Sequence, residues 1–209
     1  MPATIANYSA FAQLSELNTL VELGLGKGHG VSFALKGGFS RVFSVDHDKK
    51  AVRNARRFFS RDKRVSILRG NVYNPKTFGF LNQLNQPCVF WIDIPTNTPL
   101  LLFKILSQWM YFYDSLILVD EWRLRPNCKC HVCLELASFV PREKFHWTHI
   151  VTTVPDHYAS SGQPNNVMAF VPTQMQSRTN NIQLFSSALA PVGVPAVSHL
   201  PSPHETQAP

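Results

Sequence analysis

The chain has 209 residues, of which 44% are hydrophobic, and its 20 Lys and Arg against 13 Asp and Glu give a formal net charge of +7. This apolar content is enough for an ordinary core, which excludes a chain that is disordered throughout and a small scaffold that depends on disulfides. Nine of the basic residues lie between Lys49 and Arg69, so the positive charge is local and can attract phosphates.

Short apolar or β-branched runs alternate with helix-length segments along the first 140 residues, which is typical of a parallel sheet covered by helices. Five strands are predicted, over Thr19–Leu25, Arg41–Asp46, Val65–Leu68, Cys88–Asp93 and Ser115–Asp120. Helices are predicted between and after them, over Gly30–Lys36, Lys49–Phe59, Pro75–Leu84, Pro99–Tyr111 and Cys133–Val140.

The pattern changes after residue 140. Phe145–Val154 and Asn166–Pro172 predict two strands, and the loop between them is too short for a crossover helix, so the strands should pair antiparallel. The sequence thus predicts an α/β fold with five β/α units closed by an antiparallel β-hairpin. One domain is expected over residues 1–173, followed by a flexible Pro/Ser/Ala-rich tail over residues 174–209.

An acidic residue and alternating glycines lie in the segment VELGLGKGHG, where the first predicted strand turns into the first helix. Glycine lets the backbone approach a ligand closely, and a helix start offers unpaired N–H groups, although a tight turn alone would also use glycines. A dinucleotide motif fits poorly because His29 takes the place of its third glycine. Asp46 ends the second strand, where a carboxylate can bind both hydroxyls of a ribose. Asn71 follows the third strand, where its amide can meet an adenine edge.

In these features the sequence resembles the class I S-adenosylmethionine-dependent methyltransferases. Their acid-x-Gly-x-Gly-x-Gly motif is matched by Glu22, Gly24, Gly26 and Gly28, and their second-strand acid by Asp46. The closing β-hairpin is also similar to theirs, so the resemblance covers about residues 15–172. It implies a Rossmann-like seven-stranded sheet with helices on both faces and S-adenosylmethionine as the cofactor.

The resemblance also implies roles for individual residues. Glu22 and the glycines would line the methionine end of the cofactor, Asp46 would bind the ribose, and His47 would flank the adenine. Asn71 stands where the family more often has Asp, so the chain departs from the family pattern at the adenine contact. Asp93, at the end of the fourth strand, would contact the cofactor and act near the methyl group as the catalytic residue.

Three carboxylates, Asp93, Asp120 and Glu121, follow the fourth and fifth predicted strands. Clustered carboxylates are costly unless a cation or a proton compensates them. The arrangement resembles the catechol-type metal-dependent O-methyltransferases, in which these positions would hold Mg²⁺ and the metal would lower the pKa of a bound substrate hydroxyl. A metal-free site stays open, because Glu121 can equally cap a loop and no lysine follows Asp93 as it does in the catechol enzymes. Residues 91–109 and 116–124 also loosely resemble proteins related to the FkbM group, which modify hydroxyls of sugars and natural products.

The four cysteines are Cys88, Cys128, Cys130 and Cys133, and the last three lie within six residues. This distribution is unlike a secreted disulfide framework, so a reducing compartment, the cytoplasm, is expected. Zinc binding by the cluster with His131 is one interpretation, but the spacing lacks a second paired knuckle and favours an ordinary loop. No secretory signal is expected at the N-terminus, and charges interrupt the long apolar stretch over residues 99–119, so no membrane span is expected.

The basic segment over residues 49–69 falls mainly on one predicted helix, where Lys49, Arg53 and Arg56 or Arg57 share a face. Such a face is commonly only solvated, and the alternative is a track for RNA phosphates. The apolar residues of this helix are expected to pack into the core: Val52, Ala55, Phe58 and Phe59.

Three hypotheses about function follow. The first is an enzyme that moves a methyl group from S-adenosylmethionine to an oxygen of a small-molecule or glycan-like acceptor, mainly by alignment. The second keeps the fold and the cofactor but makes the acceptor RNA, a ribose or a cap, because of the basic segment. The third is a non-catalytic methyltransferase-like binding module, since fold alone does not fix function. The sequence does not determine the oligomeric state.

Overall fold

The computed structural model of the chain describes residues 5–94, 99–120, 139–140, 143–152 and 165–176. The strands are β1 (Thr19–Leu23), β2 (Arg41–Asp46), β3 (Val65–Arg69), β4 (Val89–Ile92), β5 (Leu116–Val119), β6 (Phe145–Thr152) and β7 (Asn165–Pro172). The α-helices are α1 (Ile5–Ser15), α2 (His29–Lys36), α3 (Lys49–Phe58), α4 (Pro99–Leu106) and α5 (Thr173–Gln176). Segments of 3-10 helix cover Pro75–Gln83 and Phe112–Asp114. A membrane-crossing helix, judged by length and apolar character, does not occur in the described residues.

The strands form one open seven-stranded sheet in the order β3-β2-β1-β4-β5-β7-β6. Strands β1 to β5 are parallel, whereas β7 is antiparallel to both β5 and β6. The predicted α/β architecture, with a parallel sheet closed by an antiparallel hairpin, is therefore confirmed. The strand order reverses between β1 and β4, and in open α/β sheets the crevice at this reversal is where ligands bind.

The core lies on both faces of the sheet, because each buried strand contributes side chains alternately to either side. On one face, Val21, Phe90 and Ile117 belong to a cluster that α4 and the 3-10 segments cover. On the other face, Leu20 and Trp91 pack beneath α1, α2 and α3. Full burial of each such large apolar side chain stabilises the fold by about 1.5–3 kcal/mol.

Helix α1 has no counterpart among the predicted elements. Its residues Tyr8 and Phe11 are fully buried, and the Tyr8 ring lies 5.7 Å from the Trp91 ring, measured between centroids. The segment Ile5–Ser15 has no acidic residue in its first turn and no basic residue in its last turn, so the usual signals of a helix terminus are missing. Packing against β4 stabilises this helix.

Two predicted helices are shorter or tighter than expected. The segment after Asn74 forms a 3-10 helix that begins at Pro75, and Gly79 in its middle weakens an α-helix there. Helix α4 ends at Leu106 and not at Tyr111, because the next turns close through tighter bonds such as that from Trp109 N–H to the Leu106 carbonyl. The predicted helix over Cys133–Val140 lies almost entirely outside the described residues.

The expectation that Phe58 packs into the core is wrong. Val52 and Ala55 of α3 are buried, and Phe59 lies half-buried against the same cluster, but the Phe58 side chain is 78% exposed. Residues 52, 55 and 59 follow helical spacing, whereas residue 58 points away from that stripe. The structure therefore leaves a phenyl ring in water beside cationic side chains.

The described chain continues slightly beyond the predicted domain boundary at residue 173. Thr173 begins the short helix α5, and its N–H donates a hydrogen bond to the Lys144 carbonyl at 2.8 Å. Residues 177–209 lie outside the described residues, so the flexible tail over residues 174–209 stays a prediction.

Candidate functional site

The residues that follow β1, β4 and β5 lie side by side at the carboxyl edge of the sheet. The Asp93 N–H donates to the Leu23 carbonyl at 2.8 Å, and the Asp120 N–H donates to the Ile92 carbonyl at 2.8 Å. These bonds extend the parallel ladder one residue past the strands. The two aspartates and the glycine loop that follows β1 are therefore fixed by backbone pairing at the strand-order reversal.

The glycine loop between β1 and α2 needs glycine for two separate reasons. Gly24 and Gly28 have φ angles of 103° and 82°, in the left-handed region that other residues rarely adopt. A Cβ atom at Gly24 would lie 2.0 Å from the Asp93 carbonyl oxygen, and one at Gly30 would lie 1.9 Å from Oε1 of Glu22. The loop thus passes closer to β4 and to Glu22 than any side chain would permit.

Asp46, at the end of β2, holds this loop in place. Its Oδ2 accepts hydrogen bonds from the N–H groups of Leu25 at 3.0 Å and Gly26 at 3.3 Å. Its Oδ1 accepts one from the Asp48 N–H at 2.8 Å, and the Nδ1 atom of His47 lies 3.4 Å from the same oxygen. The His47 side chain is itself 86% exposed. Sequence reasoning gave Asp46 only a ligand-binding role and missed that it positions the loop.

These elements enclose a cavity of about 370 Å³, a volume within the range of small-molecule sites. Six of the predicted cofactor residues line it: Glu22, Gly24, Gly26, Asp46, His47 and Asp93. Residues that were not predicted also line it, namely Leu25, Lys27, His29, Gly30 and Ile94.

The other two predicted cofactor residues lie outside this cavity. Gly28 lines an adjoining cavity of about 520 Å³, which shares Gly26, Lys27 and His29 with the first. Asn71, after β3, is not among the lining residues of either cavity, and its Oδ1 accepts a hydrogen bond from the Tyr73 N–H at 2.9 Å. Its side chain forms an Asx turn in this structure.

Glu22 is the most strongly perturbed acid lining the cavity. Its side chain is buried, with 3% exposure, and it accepts a hydrogen bond from the Ser44 hydroxyl. Burial is the main cause that raises its pKa to about 8; the Ser44 bond partly offsets this rise, and the carboxylates of Asp93 and Asp46 add to it. Burial therefore favours a proton or a cationic group beside the Glu22 carboxylate.

Asp93 is also shifted toward its protonated form. Burial raises its pKa first, and the nearby carboxyl of Asp120 raises it further. Within the described residues, no three His, Cys, Asp or Glu side chains lie close enough together to hold a metal ion. Glu121, the third predicted ligand, lies outside those residues, so the prediction of Mg²⁺ at Asp93, Asp120 and Glu121 has no support from the structure.

The predicted zinc interpretation concerns residues beyond those that the structure describes, since Cys128, Cys130, His131 and Cys133 all fall there. Cys88 is fully buried at the start of β4, and burial raises the pKa of its thiol well above the usual range. A buried neutral thiol is a poor metal ligand and a poor nucleophile, so Cys88 serves the core.

Tyr8 of α1 lies behind two residues of the site, Glu22 and Gly30, and sequence reasoning missed it. Its hydroxyl is buried, makes no hydrogen bond within the described part of the chain, and lies 3.1 Å from the point where a Gly30 Cβ would be. Burial raises the pKa of Tyr8, and the charge of Glu22 raises it further. The sequence carries no signal that brings residue 8 next to residues 22 and 30, because only the packing of α1 does so.

Comparisons with known proteins were made at the levels of sequence and structure. No family model and no curated protein sequence matches the chain. The O-methyltransferase from Bacillus cereus, solved in complex with SAH, aligns with a TM-score of 0.56 and 16% identity over 80% of both chains. The SAH-bound Podospora anserina methyltransferase PaMTH1 aligns with a TM-score of 0.53 and 14% identity, over 80% of this chain and 77% of that one.

An RNA-modifying enzyme is similar to the same degree. The 23S rRNA methyltransferase ErmE aligns with a TM-score of 0.54 and 14% identity over 80% of this chain, which spans 66% of the ErmE chain. Identities this low show a common fold and leave the acceptor open. Together with the strand order and the glycine loop, they show that the chain has the Rossmann-like fold of the class I S-adenosylmethionine-dependent methyltransferases.

Proposed function

We propose that the protein is a methyltransferase that uses S-adenosylmethionine and transfers the methyl group to the oxygen of a hydroxyl acceptor. The observation that carries this proposal is the 370 Å³ cavity, which lies at the strand-order reversal and is lined by the glycine loop, Glu22, Asp46 and Asp93. An arrangement of this kind at the carboxyl edge of an open α/β sheet is suited to a nucleoside-containing ligand.

The residues present suit the cofactor at its methionine end. A Cβ at Gly24 or Gly30 would clash with Asp93 or Glu22, so glycine lets the backbone pack directly against the two acids that line the cavity. The buried hydroxyl of Tyr8 lies close to Glu22. Burial raises the pKa of Glu22 to about 8. An ammonium group beside it would favour the charged carboxylate, so Glu22 would lose its proton and form an ion pair with that group. Glu22 would therefore bind the amino group.

Asp46 would hold the ribose. Its two oxygens already accept the N–H groups of Leu25, Gly26 and Asp48, but a carboxylate offers about four lone-pair sites and can accept hydroxyl donors as well. One side chain would thus connect the ligand to the loop that covers it. We place the exposed ring of His47 beside the adenine and the amide of Asn71 at its edge.

Asp93 would act where the methyl group is transferred. When bound, S-adenosylmethionine supplies an activated methyl group on a sulfonium sulfur. As the acceptor oxygen forms its bond to that carbon, the carbon–sulfur bond breaks and the hydroxyl proton must leave. The raised pKa of Asp93, caused by burial and by Asp120, suits it to orient that hydroxyl and to receive its proton. Alignment of the two reactants would supply most of the remaining rate enhancement.

Small-molecule or glycan hydroxyls and RNA hydroxyls are both suitable acceptors for this chemistry, and the similar solved structures include enzymes of both kinds. Transfer is tested by incubating the protein with methyl-labelled S-adenosylmethionine and panels of hydroxylated small molecules, glycans and RNA. Label should enter one panel, and Asp93→Asn should slow the transfer at least tenfold when S-adenosylmethionine is saturating. Asp62→Asn, which removes a partly exposed carboxylate that does not line the cavity, is the matched control.

Binding of S-adenosylhomocysteine without transfer to any panel would favour the non-catalytic binding module. Transfer that is equally fast in the Asp93→Asn variant would show that Asp93 has no part in the reaction.

A further inference from the structure

Helix α3 and the edge strand β3 form a cationic groove on the surface of the domain. The groove has a volume of about 700 Å³ and contains no carboxylate among its lining residues. Five of the seven lining residues are cationic at neutral pH: Lys49, Arg53, Arg56, Arg57 and Arg69. Val52 and Ser60 complete the lining, so the groove is a site for anions.

The acidic residues near the groove are engaged elsewhere. Asp62 forms an ion pair with Arg64, whose Nη2 atom lies 2.7 Å from Oδ2 of the carboxylate. Asp48 caps α3 by accepting hydrogen bonds from the N–H groups of Lys50 and Ala51. Arg56 is fixed across the groove by a bond from its Nε to the Ile67 carbonyl at 2.9 Å. The groove cations are therefore available for phosphates of a partner.

The groove begins beside the candidate cofactor site. Arg69 is the residue of β3 that pairs with Asp46 of β2, and Asp46 holds the glycine loop. Lys49 is the first residue of α3, and Arg57 lies near its end. Arg56 already donates to the Ile67 carbonyl, which leaves four other lining cations, Lys49, Arg53, Arg57 and Arg69, so the groove can neutralise roughly four phosphates.

An exposed aromatic ring lies on the side of α3 away from the groove, across the exposed face of the helix. Phe58 follows Arg57 on α3, is 78% exposed, and lies edge-on to Phe59 with 4.8 Å between the ring centroids. It lines the adjoining cavity of about 520 Å³ together with Lys50 and Asn54. Proteins that bind single-stranded nucleic acids combine such basic tracks with exposed aromatic rings on which bases stack.

From these features we infer that single-stranded RNA crosses α3, with phosphates on the cationic groove and a base stacked on Phe58 at the other side of the helix. The assignment of RNA as the methyl acceptor rests on the proposed function, because RNA carries the 2′-hydroxyl that such transfer requires. An acidic protein would match the charges of the groove without base stacking, and an anionic membrane would bind both the charges and the Phe58 ring, so both are compared with RNA in the test below.

Binding is tested by fluorescence anisotropy with a labelled single-stranded RNA of about 12 nucleotides and mixed sequence, in the absence of cofactor. Affinity should fall with rising salt, with a logarithmic slope of about −3 for four phosphates. Phe58→Ala should weaken binding about tenfold through lost stacking, and because Phe58 is exposed the variant should fold normally. The double variant Arg53→Gln/Arg57→Gln should weaken binding further and reduce the slope by about 1.4.

The matched control is Arg61→Gln/Lys63→Gln, which removes the same charge from the turn that follows α3, outside the groove. Equal loss of affinity in the groove and control variants would overturn the inference, as would absence of RNA binding at low salt. Binding of polyglutamate or of anionic phosphatidylserine vesicles as tight as the binding of RNA would also overturn it.

Failure of this inference can be distinguished from failure of the proposed function by titrating the same variants with S-adenosylhomocysteine. Cofactor binding without RNA binding refutes the RNA surface and leaves the proposed function standing. RNA binding without cofactor binding refutes the proposed function and leaves the RNA surface standing. Transfer of labelled methyl groups to RNA, but not to DNA of the same sequence, is the result expected if RNA is the acceptor.

Discussion

Replacing Glu22 by glutamine should change how the stability of the empty protein depends on pH. The carboxyl of Glu22 is buried, and burial raises its pKa from 4.5 to about 8. Below about pH 4.5 Glu22 is protonated in both the folded and the unfolded chain, so its ionisation does not change the free energy of unfolding there. Between pH 4.5 and 8 only the unfolded chain ionises it, and this favours unfolding as pH rises. The stabilising effect of the neutral carboxyl is therefore lost by about pH 8.

The magnitude follows from the same shift. Each tenfold change in an ionisation constant corresponds to about 1.4 kcal/mol, so ionisation of Glu22 lowers the free energy of unfolding by up to about 5 kcal/mol at high pH. The amide of the glutamine variant has no charge to lose. Relative to the wild type, the Glu22→Gln variant should gain about 1.4 kcal/mol for each pH unit between about pH 5 and pH 8.

Urea denaturation of the two proteins at several pH values between about 5 and 8 measures this difference. Glu16→Gln, which removes an exposed carboxyl of the same type, is the control and should show no such trend. A difference between wild type and Glu22→Gln that stays constant over this range would refute the reasoning, because Glu22 would then ionise equally easily in the folded and unfolded states.

Two further predictions concern the same cavity. Tyr8→Phe should raise the free energy of unfolding of the ligand-free protein by about 1 kcal/mol in urea denaturation. The reason is that it removes a buried hydroxyl that makes no hydrogen bond within the described residues. A loss of stability would show that the hydroxyl has a hydrogen-bond partner. Gly30→Ala should weaken S-adenosylhomocysteine binding at least tenfold in calorimetric titration, because the added methyl group would lie 1.9 Å from Oε1 of Glu22. Gly79→Ala adds the same methyl group in open space and should leave the affinity unchanged; equal affinities of the two variants would contradict the assignment of the cavity.

The strand pattern and the carboxyl-edge residues of this fold could be predicted from the sequence. Apolar runs such as that over residues 89–92 predict buried strands, and the turn residues after them, including Gly24 and Asp93, necessarily lie together once the strands are parallel. The predicted cofactor residues Glu22 and Asp46 line one cavity for this reason.

The remaining features depend on tertiary packing that local patterns do not encode. Tyr8 lies close to Glu22 and Gly30 only because α1 packs against Trp91, and α1 carries no signal at its termini. Phe58 was expected in the core because it is apolar, yet its position on α3 places it in solvent. The loop-holding bonds of Asp46 depend on the close approach of β1 and β2.

Calorimetric titration with S-adenosylhomocysteine tests the central claim most directly, with wild type, Asp46→Asn and Asp62→Asn compared in parallel. Each variant loses one carboxylate, but only Asp46 lines the cavity and accepts the loop N–H groups of Leu25 and Gly26. One-to-one binding by wild type and Asp62→Asn, with binding by Asp46→Asn at least tenfold weaker, is the predicted result. Absence of binding by the wild type between about pH 6 and pH 9, a range that includes the ionisation of Glu22, would contradict the claim that this cavity holds S-adenosylmethionine.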